Sequence, residues 1–197
     1  MRRAAVVAGV ALAPQAAFGH LVTTGLGPFY DGASHLALSP EDILPVLALA
    51  MLAGLRGPHF GRLALAALPI AWLAGGIAGL SHGVLVVAPS IPLFFCLLLG
   101  VLLVVNPELP GVRLGGLAAF LGLLHGYQNG TAMAQDGSGA LGLPGIAASL
   151  TVMVALTSAF VVSIRTGRGR AAVRFTGVLV AAGGVLIFRA TSIWNGS

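Results

Sequence analysis

The chain of 197 residues contains very little charge. Only 8% of its residues are Asp, Glu, Lys or Arg, and lysine is absent, whereas 57% are hydrophobic and the mean hydropathy is +1.00. A soluble domain carries about 25% charged residues, so this chain has too few to cover a water-facing surface. The composition therefore excludes an ordinary soluble domain and predicts an integral membrane protein.

Cysteine and nucleotide-binding motifs are also scarce. Cys96 is the single cysteine and lies in an apolar run, so the chain can form neither an internal disulfide nor a thiolate metal cluster. A chain without lysine contains no G-x-x-x-x-G-K-[S/T] phosphate-binding loop. Transport driven by ATP bound to this chain is not expected.

The N-terminus has the pattern of a secretory signal peptide. Two arginines precede a short apolar run at 4–13, and Ala17 and Gly19 place small residues at the −3 and −1 positions of a cleavage site. Cleavage would remove 1–19 and leave His20 as the first mature residue. An uncleaved anchor helix is the alternative.

The remaining residues, 20–197, are expected to form one domain with an external N-terminal segment at 20–40. A membrane span needs about 20 apolar residues. The first hydrophobic segment is shorter, so its span is expected to begin near Leu36 or Leu38. The predicted fold is all-α: a polytopic membrane helical bundle with six transmembrane helices after a cleavable signal peptide. The six segments are 43–55, 62–81, 84–105, 113–133, 142–164 and 172–192.

The arginines predict the orientation. With the mature N-terminus outside, seven of the eight mature arginines fall in cytoplasmic loops and only Arg189 does not, as the positive-inside rule requires. Arginines that punctuate apolar runs form no basic face, so nucleic acid is not an expected partner. We predict a bacterial inner-membrane protein with both mature termini in the periplasm. The seven arginines in the predicted cytoplasmic loops are Arg56, Arg62, Arg113, Arg165, Arg168, Arg170 and Arg174.

Most of the five acids and five histidines then lie at or near the external face. Imidazole is a good ligand for nickel, copper, zinc and iron, and carboxylates add charge neutralisation. We therefore predict a site for a transition-metal cation. Its predicted ligands are His20, Asp31, His35, Asp42, His82 and His125.

His125 is the most informative of these residues. It lies twelve residues past Arg113, about 18 Å along a helix, and an ionisable residue at that depth usually faces a bundle interior or a cavity. Gln128 and Asn129 follow at i+3 and i+4 and share its helix face, so they are predicted to line the metal path. The alternative is a histidine that only joins two helices by a hydrogen bond.

Two similar pentapeptides suggest an internal repeat. GLSHG (79–83) and GLLHG (122–126) each end with His-Gly within a series of glycines spaced by four. Such spacing lets helices approach closely, so we predict two tightly packed helices that each present a histidine. The predicted packing residues are Gly75, Gly79, Gly83, Gly122, Gly126 and Gly130.

The segment GPFYDGASH (27–35) joins these features. If it is helical, Asp31 and His35 share a face, and Asp31 could orient the imidazole as carboxylates do behind metal-ligating histidines. In the alternative, this pair belongs to an ordered loop before a helix that starts at SPED (39–42), with Ser39 as N-cap.

These residues resemble the HupE/UreJ family of bacterial membrane proteins. The similarity covers most of the mature chain and includes GPFYDGASHLALSPEDILPVLALAMLAGLRG (27–57) and LLHGYQNG (123–130). It implies nickel uptake for hydrogenase and urease, with His35 and His125 each matching a motif histidine. Where the family has further ligands, this chain has Ser34 for an Asp, Asn129 for a second His and Ala132 for a Glu. It therefore looks like a divergent branch.

The leading hypothesis is a membrane permease for a divalent transition-metal cation. Nickel is the expected substrate or ligand, with copper, zinc and cobalt as alternatives, and no firm cofactor is expected. Neutral imidazole is the binding form, so binding should weaken as the pH falls below the pKa of histidine. The lipid bilayer and the metal ion are the expected partners. The sequence is also compatible with a homo-oligomer.

Two other functions remain as alternatives. One is a metal-binding accessory protein that delivers copper or nickel, and another is a channel for a neutral solute. An enzyme is not expected, because DGSG (136–139) is explained by a Gly-rich external loop.

Overall fold

A computed structural model describes residues 24–82, 90–136 and 140–195 of the chain. Within these ranges the fold is all-α, with seven helices and no strand. The predicted signal peptide at 1–19, with its cleavage site, and His20 lie outside the described residues. The helices are α1 (Pro28–Leu38), α2 (Pro40–Arg56), α3 (Pro58–His82), α4 (Ser90–Val105), α5 (Gly111–Asp136), α6 (Gly142–Ser163) and α7 (Gly167–Asn195).

Helices α2 to α7 each coincide with one predicted hydrophobic segment. By length and composition, α3, α6 and the part of α7 up to Ile193 can cross a membrane, and α1 with α2 adds a fourth if the bent pair is one span. Helix α4 is apolar but has only 16 residues. Helix α5 has 26 residues, but its polar second half lowers its hydropathy. The structure thus supports three to four membrane-capable helices, and the count of six spans stays a prediction.

Prolines and one glycine set the boundaries of the first three helices. Each begins on a proline, whose fixed φ and missing N–H suit a helix start. Gly57 separates α2 from α3 with φ +113°, a conformation that strongly favours glycine. Its N–H also bonds the carbonyls of Ala53 and Gly54 at 3.2 and 3.1 Å, which closes α2.

The junction of α1 and α2 departs from the expected start of the first span. The two helices meet at 73° through Ser39, whose backbone is extended. Helix α2 begins at Pro40, whereas Leu36 and Leu38 lie in α1; if the bent pair is one span, both residues belong to it, and the start of the first span stays a prediction. Ser39 does occupy the N-cap position, but its hydroxyl makes no capping hydrogen bond.

Helix α2 lies at the centre of the bundle and contacts all six other helices. Around it, α3 packs most extensively on α5, α4 on α7, and α1 on α6. The buried core includes Leu49, Leu52, Trp72 and Phe95, all fully buried. Large apolar side chains on the outside of α6 and α7, such as Phe160 and Leu186, are about two-thirds exposed at 66% and 69%, as expected for surfaces that face lipid.

Three arginines join helix ends at one end of the bundle. The Arg56 guanidinium donates to the Pro107 carbonyl and Arg170 donates to the Leu55 carbonyl. Arg174 Nε donates to the Val104 carbonyl at 2.8 Å. We call this the arginine end: α2, α4 and α6 finish there, and α3, α5 and α7 begin there.

Candidate metal-binding cluster

Four polar side chains meet inside the bundle, away from the arginine end. We call them the Asp42 cluster: His35 from α1, Asp42 from α2, and His125 and Asn129 from α5. All four are buried, with exposed fractions of 6%, 4%, 0% and 7% in that order. Buried polar groups are costly without partners, so their contacts indicate what the cluster can do.

Asp42 is the hub of the cluster. Its Oδ1 lies 2.7 Å from His125 Nδ1, and its Oδ2 accepts from Asn129 Nδ2 at 3.1 Å. His35 Nε2 lies 3.6 Å from the same Oδ2. One carboxylate from the first turn of α2 therefore joins side chains from two other helices, α1 and α5.

The remaining bonds of His35 complete the network. Its Nε2 lies 3.3 Å from Asn129 Oδ1, and its Nδ1 lies 3.4 Å from Ser39 Oγ. All contacts are satisfied when the Ser39 hydroxyl donates to Nδ1 and His35 Nε2–H donates to the amide oxygen. The Ser39 hydroxyl thus faces His35, which explains why it makes no cap to α2.

His125 has a buried ring nitrogen without a partner. With Nδ1 donating to Asp42, the other nitrogen, Nε2, is an acceptor, and it has no hydrogen bond among the residues the structure describes. Aromatic rings flank the imidazole, with centroids 5.5 Å away at Trp72 and 5.3 Å away at Phe95. A carboxylate behind one nitrogen and a free second nitrogen is the arrangement of metal-ligating histidines.

Glycines bring α3 and α5 close enough to fix His125. A Cβ atom on Gly126 would collide with the Trp72 carbonyl, and one on Gly130 would collide with the Gly76 carbonyl. Gly75, Gly79 and Gly122 meet backbone atoms of the facing helix in the same way. Five of the six predicted packing glycines therefore lie in this contact, and Gly83 lies outside the described residues.

A second close contact positions His35. Gly32 of α1 packs on the backbone of Gly142, and Gly145 of α6 packs on the Phe29 carbonyl. Ser149 Oγ also donates to the Ala33 carbonyl at 2.9 Å. The segment 27–35 is mostly helical, as one of the two interpretations expected, and it is held against α6.

Two of the predicted ligands within the described residues do not join the cluster. Asp31 accepts from the Thr24 N–H and hydroxyl, both at 2.6 Å, so the prediction that it orients His35 is wrong and Asp42 takes that place. His82 is exposed at the C-terminal end of α3. Gln128 is half-buried on α5, one position from Asn129.

The cluster does not have the geometry of a complete metal site. Within the described ranges, no three His, Cys, Asp or Glu side chains are arranged to hold a metal ion. Within the cluster, His125 Nε2 is the ring nitrogen without a hydrogen-bond partner among the described residues.

Sequence reasoning missed the aromatic walls and the central role of Asp42. The sequence signal for the aromatic wall was Trp72, because a tryptophan carries a polar N–H and stands here in the middle of an apolar segment. The seven-residue spacing of His35 and Asp42 corresponds to two helical turns, but the bend at Ser39 could not be read from it.

Comparison with known proteins identifies the family. The family model described as HupE / UreJ protein matches residues 8–187, most of the chain. The chain belongs to the HupE/UreJ family. No curated protein and no solved structure matched it.

The HupE/UreJ family is generally linked to nickel or cobalt transport or to accessory functions. In this HupE/UreJ protein the two motif histidines expected from the resemblance, His35 and His125, meet at one carboxylate. That carboxylate comes from Asp42 and not from position 34, where the chain has serine. Asn129, at the position where the resemblance implies a second histidine, presents an amide that bonds both His35 and Asp42.

Proposed function

We propose that this protein is a bacterial inner-membrane permease for a divalent transition-metal cation, nickel or a related ion. One observation carries the proposal: His125 is fully buried, its Nδ1 is held by Asp42 at 2.7 Å, and its Nε2 has no partner among the described residues. A ring nitrogen in that state is a neutral donor suited to these ions. Burying it without a ligand costs free energy.

The proposed path runs from the periplasm to the cytoplasm through six spans. The arginine end is cytoplasmic under the positive-inside rule, which places the start of α2, with Glu41 and Asp42, toward the periplasm. His20, Asp31 and His82 would capture the hydrated ion outside, and Gln128 would line the entry. Both mature termini would then be periplasmic.

Each residue of the Asp42 cluster would make a different contribution to binding the cation. His125 supplies the first nitrogen, and His35 would supply a second through Nε2 in its other neutral tautomer, with the proton on Nδ1 and the Ser39 hydroxyl accepting from it. Asp42 supplies negative charge, because a divalent ion in a low-dielectric interior needs compensation. The amide oxygen of Asn129 is a neutral ligand.

Replacement of His125 tests the proposal directly. We expect His125→Ala to lower nickel accumulation in whole cells at least tenfold, since it removes the free nitrogen. His59→Ala is the matched control, because His59 is exposed at the start of α3. Accumulation is normalised to the amount of protein in the membrane. Nickel accumulation by His125→Ala at the level of the wild-type protein would contradict the proposal.

A metal-binding accessory protein is the second candidate. The closed state of the cluster favours it, since none of the four side chains is more than 7% exposed. Purified protein in vesicles separates the two functions: a permease transfers nickel into the lumen, whereas an accessory protein binds it without flux. We propose no enzymatic role.

A further inference from the structure

A groove opens between α3 and α6 near the arginine end. Its volume is about 310 Å³, and its walls are mainly apolar. Its walls include Gly61, Arg62, Leu65, Ala155, Ser158 and Ala159. The groove is separate from the Asp42 cluster, to which none of these residues belongs.

Small side chains on both helices create the groove. A Cβ atom on Gly61 would lie only 3.1 Å from Ser158 Oγ, so the helices touch there and leave space alongside. Ala155 and Ala159 fill little of that space. Ser158 is buried, and its hydroxyl donates to the Ala155 carbonyl at 3.4 Å.

Arg62 gives the groove a charged rim. Its side chain is exposed, and no acid is among the residues described as lining the groove. The charge around it is positive as well, because Glu108 is the only acid that falls among the seven arginines of this end. An apolar slot with a guanidinium at its mouth repels a metal cation and attracts an anion with a hydrocarbon tail.

We propose that this groove binds an anionic phospholipid, with an acyl chain against Leu65 and Ala159 and the phosphate paired with Arg62. Guanidinium forms strong, charge-assisted hydrogen bonds with phosphate oxygens. Basic pockets between membrane helices on the cytoplasmic side are suited to anionic headgroups. Arg62 lies four residues into α3, about 6 Å from its start, a depth that suits a headgroup.

The test is lipid binding by purified protein in a neutral detergent. Phosphatidylglycerol is titrated and bound lipid is counted by native mass spectrometry. We expect Arg62→Gln to bind roughly tenfold more weakly than wild type, because one charge-assisted contact is lost. Arg168→Gln is the matched control, since Arg168 is exposed in the first turn of α7 and is not a groove residue; it should bind like wild type.

Two further measurements separate the contribution of the acyl chain from that of the phosphate group. Ala159→Phe, or Ala155→Leu if the first variant is unstable, should reduce phosphatidylglycerol binding by filling the groove without altering charge. Phosphatidylcholine with the same chains and free glycerol phosphate should each bind at least tenfold more weakly than phosphatidylglycerol. Equal loss in Arg62→Gln and Arg168→Gln overturns the proposal, as does equal binding of phosphatidylcholine or of glycerol phosphate.

Discussion

Asp42 determines the arrangement of the candidate site because a single carboxylate orients two imidazoles from different helices. His125 is held directly at 2.7 Å, and His35 is held at 3.6 Å with help from Asn129. Loss of the carboxylate charge would leave both histidines without the group that sets their orientation. Partners of this kind behind a metal ligand typically contribute 10–100-fold to affinity or activity.

We therefore expect Asp42→Asn to reduce nickel accumulation by about 10–100-fold. The amide has the same shape, so the helices should still assemble, and the loss should come from the orientation and charge of the site. The measurement is nickel uptake together with the amount of folded protein in the membrane. Glu108→Gln is the control, because Glu108 is exposed at the arginine end. Equal uptake by Asp42→Asn and wild type would contradict the role given to this carboxylate.

The contact between α3 and α5 decides whether His125 lies beside Trp72 at all. Five glycines place hydrogen where a side chain would collide with the facing backbone. Membrane helices associate mainly through such close packing, since lipid offers little hydrophobic driving force between them. Any added side chain must separate the helices and displace the imidazole.

Gly126→Ala is expected to destabilise the protein by about 1–3 kcal/mol, the usual cost of overpacking. Its new methyl group would collide with the Trp72 carbonyl. Gly116→Ala lies on the same helix with open space around it, so it should be neutral or slightly stabilising because alanine favours helix. Thermal unfolding in detergent measures both. A Gly126→Ala protein as stable as Gly116→Ala would show that the helices are not held by this contact.

The whole bundle has a clear polarity, with seven arginines at one end and the Asp42 cluster toward the other. Guanidinium groups of Arg56, Arg170 and Arg174 bond carbonyls at or near the ends of α2 and α4. They therefore join the ends of neighbouring helices at this end of the bundle. In the proposed six-span topology this end faces the cytoplasm.

Cysteine labelling tests that orientation. Cys96 is the single cysteine of the chain, so a Cys96→Ala background leaves no thiol except an introduced one. In intact spheroplasts we expect a membrane-impermeant maleimide to label Ala140→Cys and not Glu108→Cys, and to label both after the membrane is opened. Positions 140 and 108 are both exposed. The reverse pattern would invert the proposed topology.

The sequence predicted the helices well because hydrophobic segments of this length have few alternatives in a membrane. It also pointed to His35, Asp42, His125 and Asn129 as polar residues in an apolar chain. It did not predict the partners, because partner choice depends on the 73° bend at Ser39. His35 meets Asp42 across that bend, whereas Asp31 bonds Thr24, which precedes α1. Helical spacing alone predicts neither contact.

The close contact of α3 with α5 also has a genetic consequence. Glycine codons differ only in their third base, and every missense change at the first or second base adds at least one carbon to the residue. Gly75, Gly79, Gly122, Gly126 and Gly130 can therefore mutate by one base only to residues that collide with the facing backbone. A saturation screen should find these five positions intolerant of change, while neighbouring leucines on the lipid side, such as Leu123, accept many substitutions.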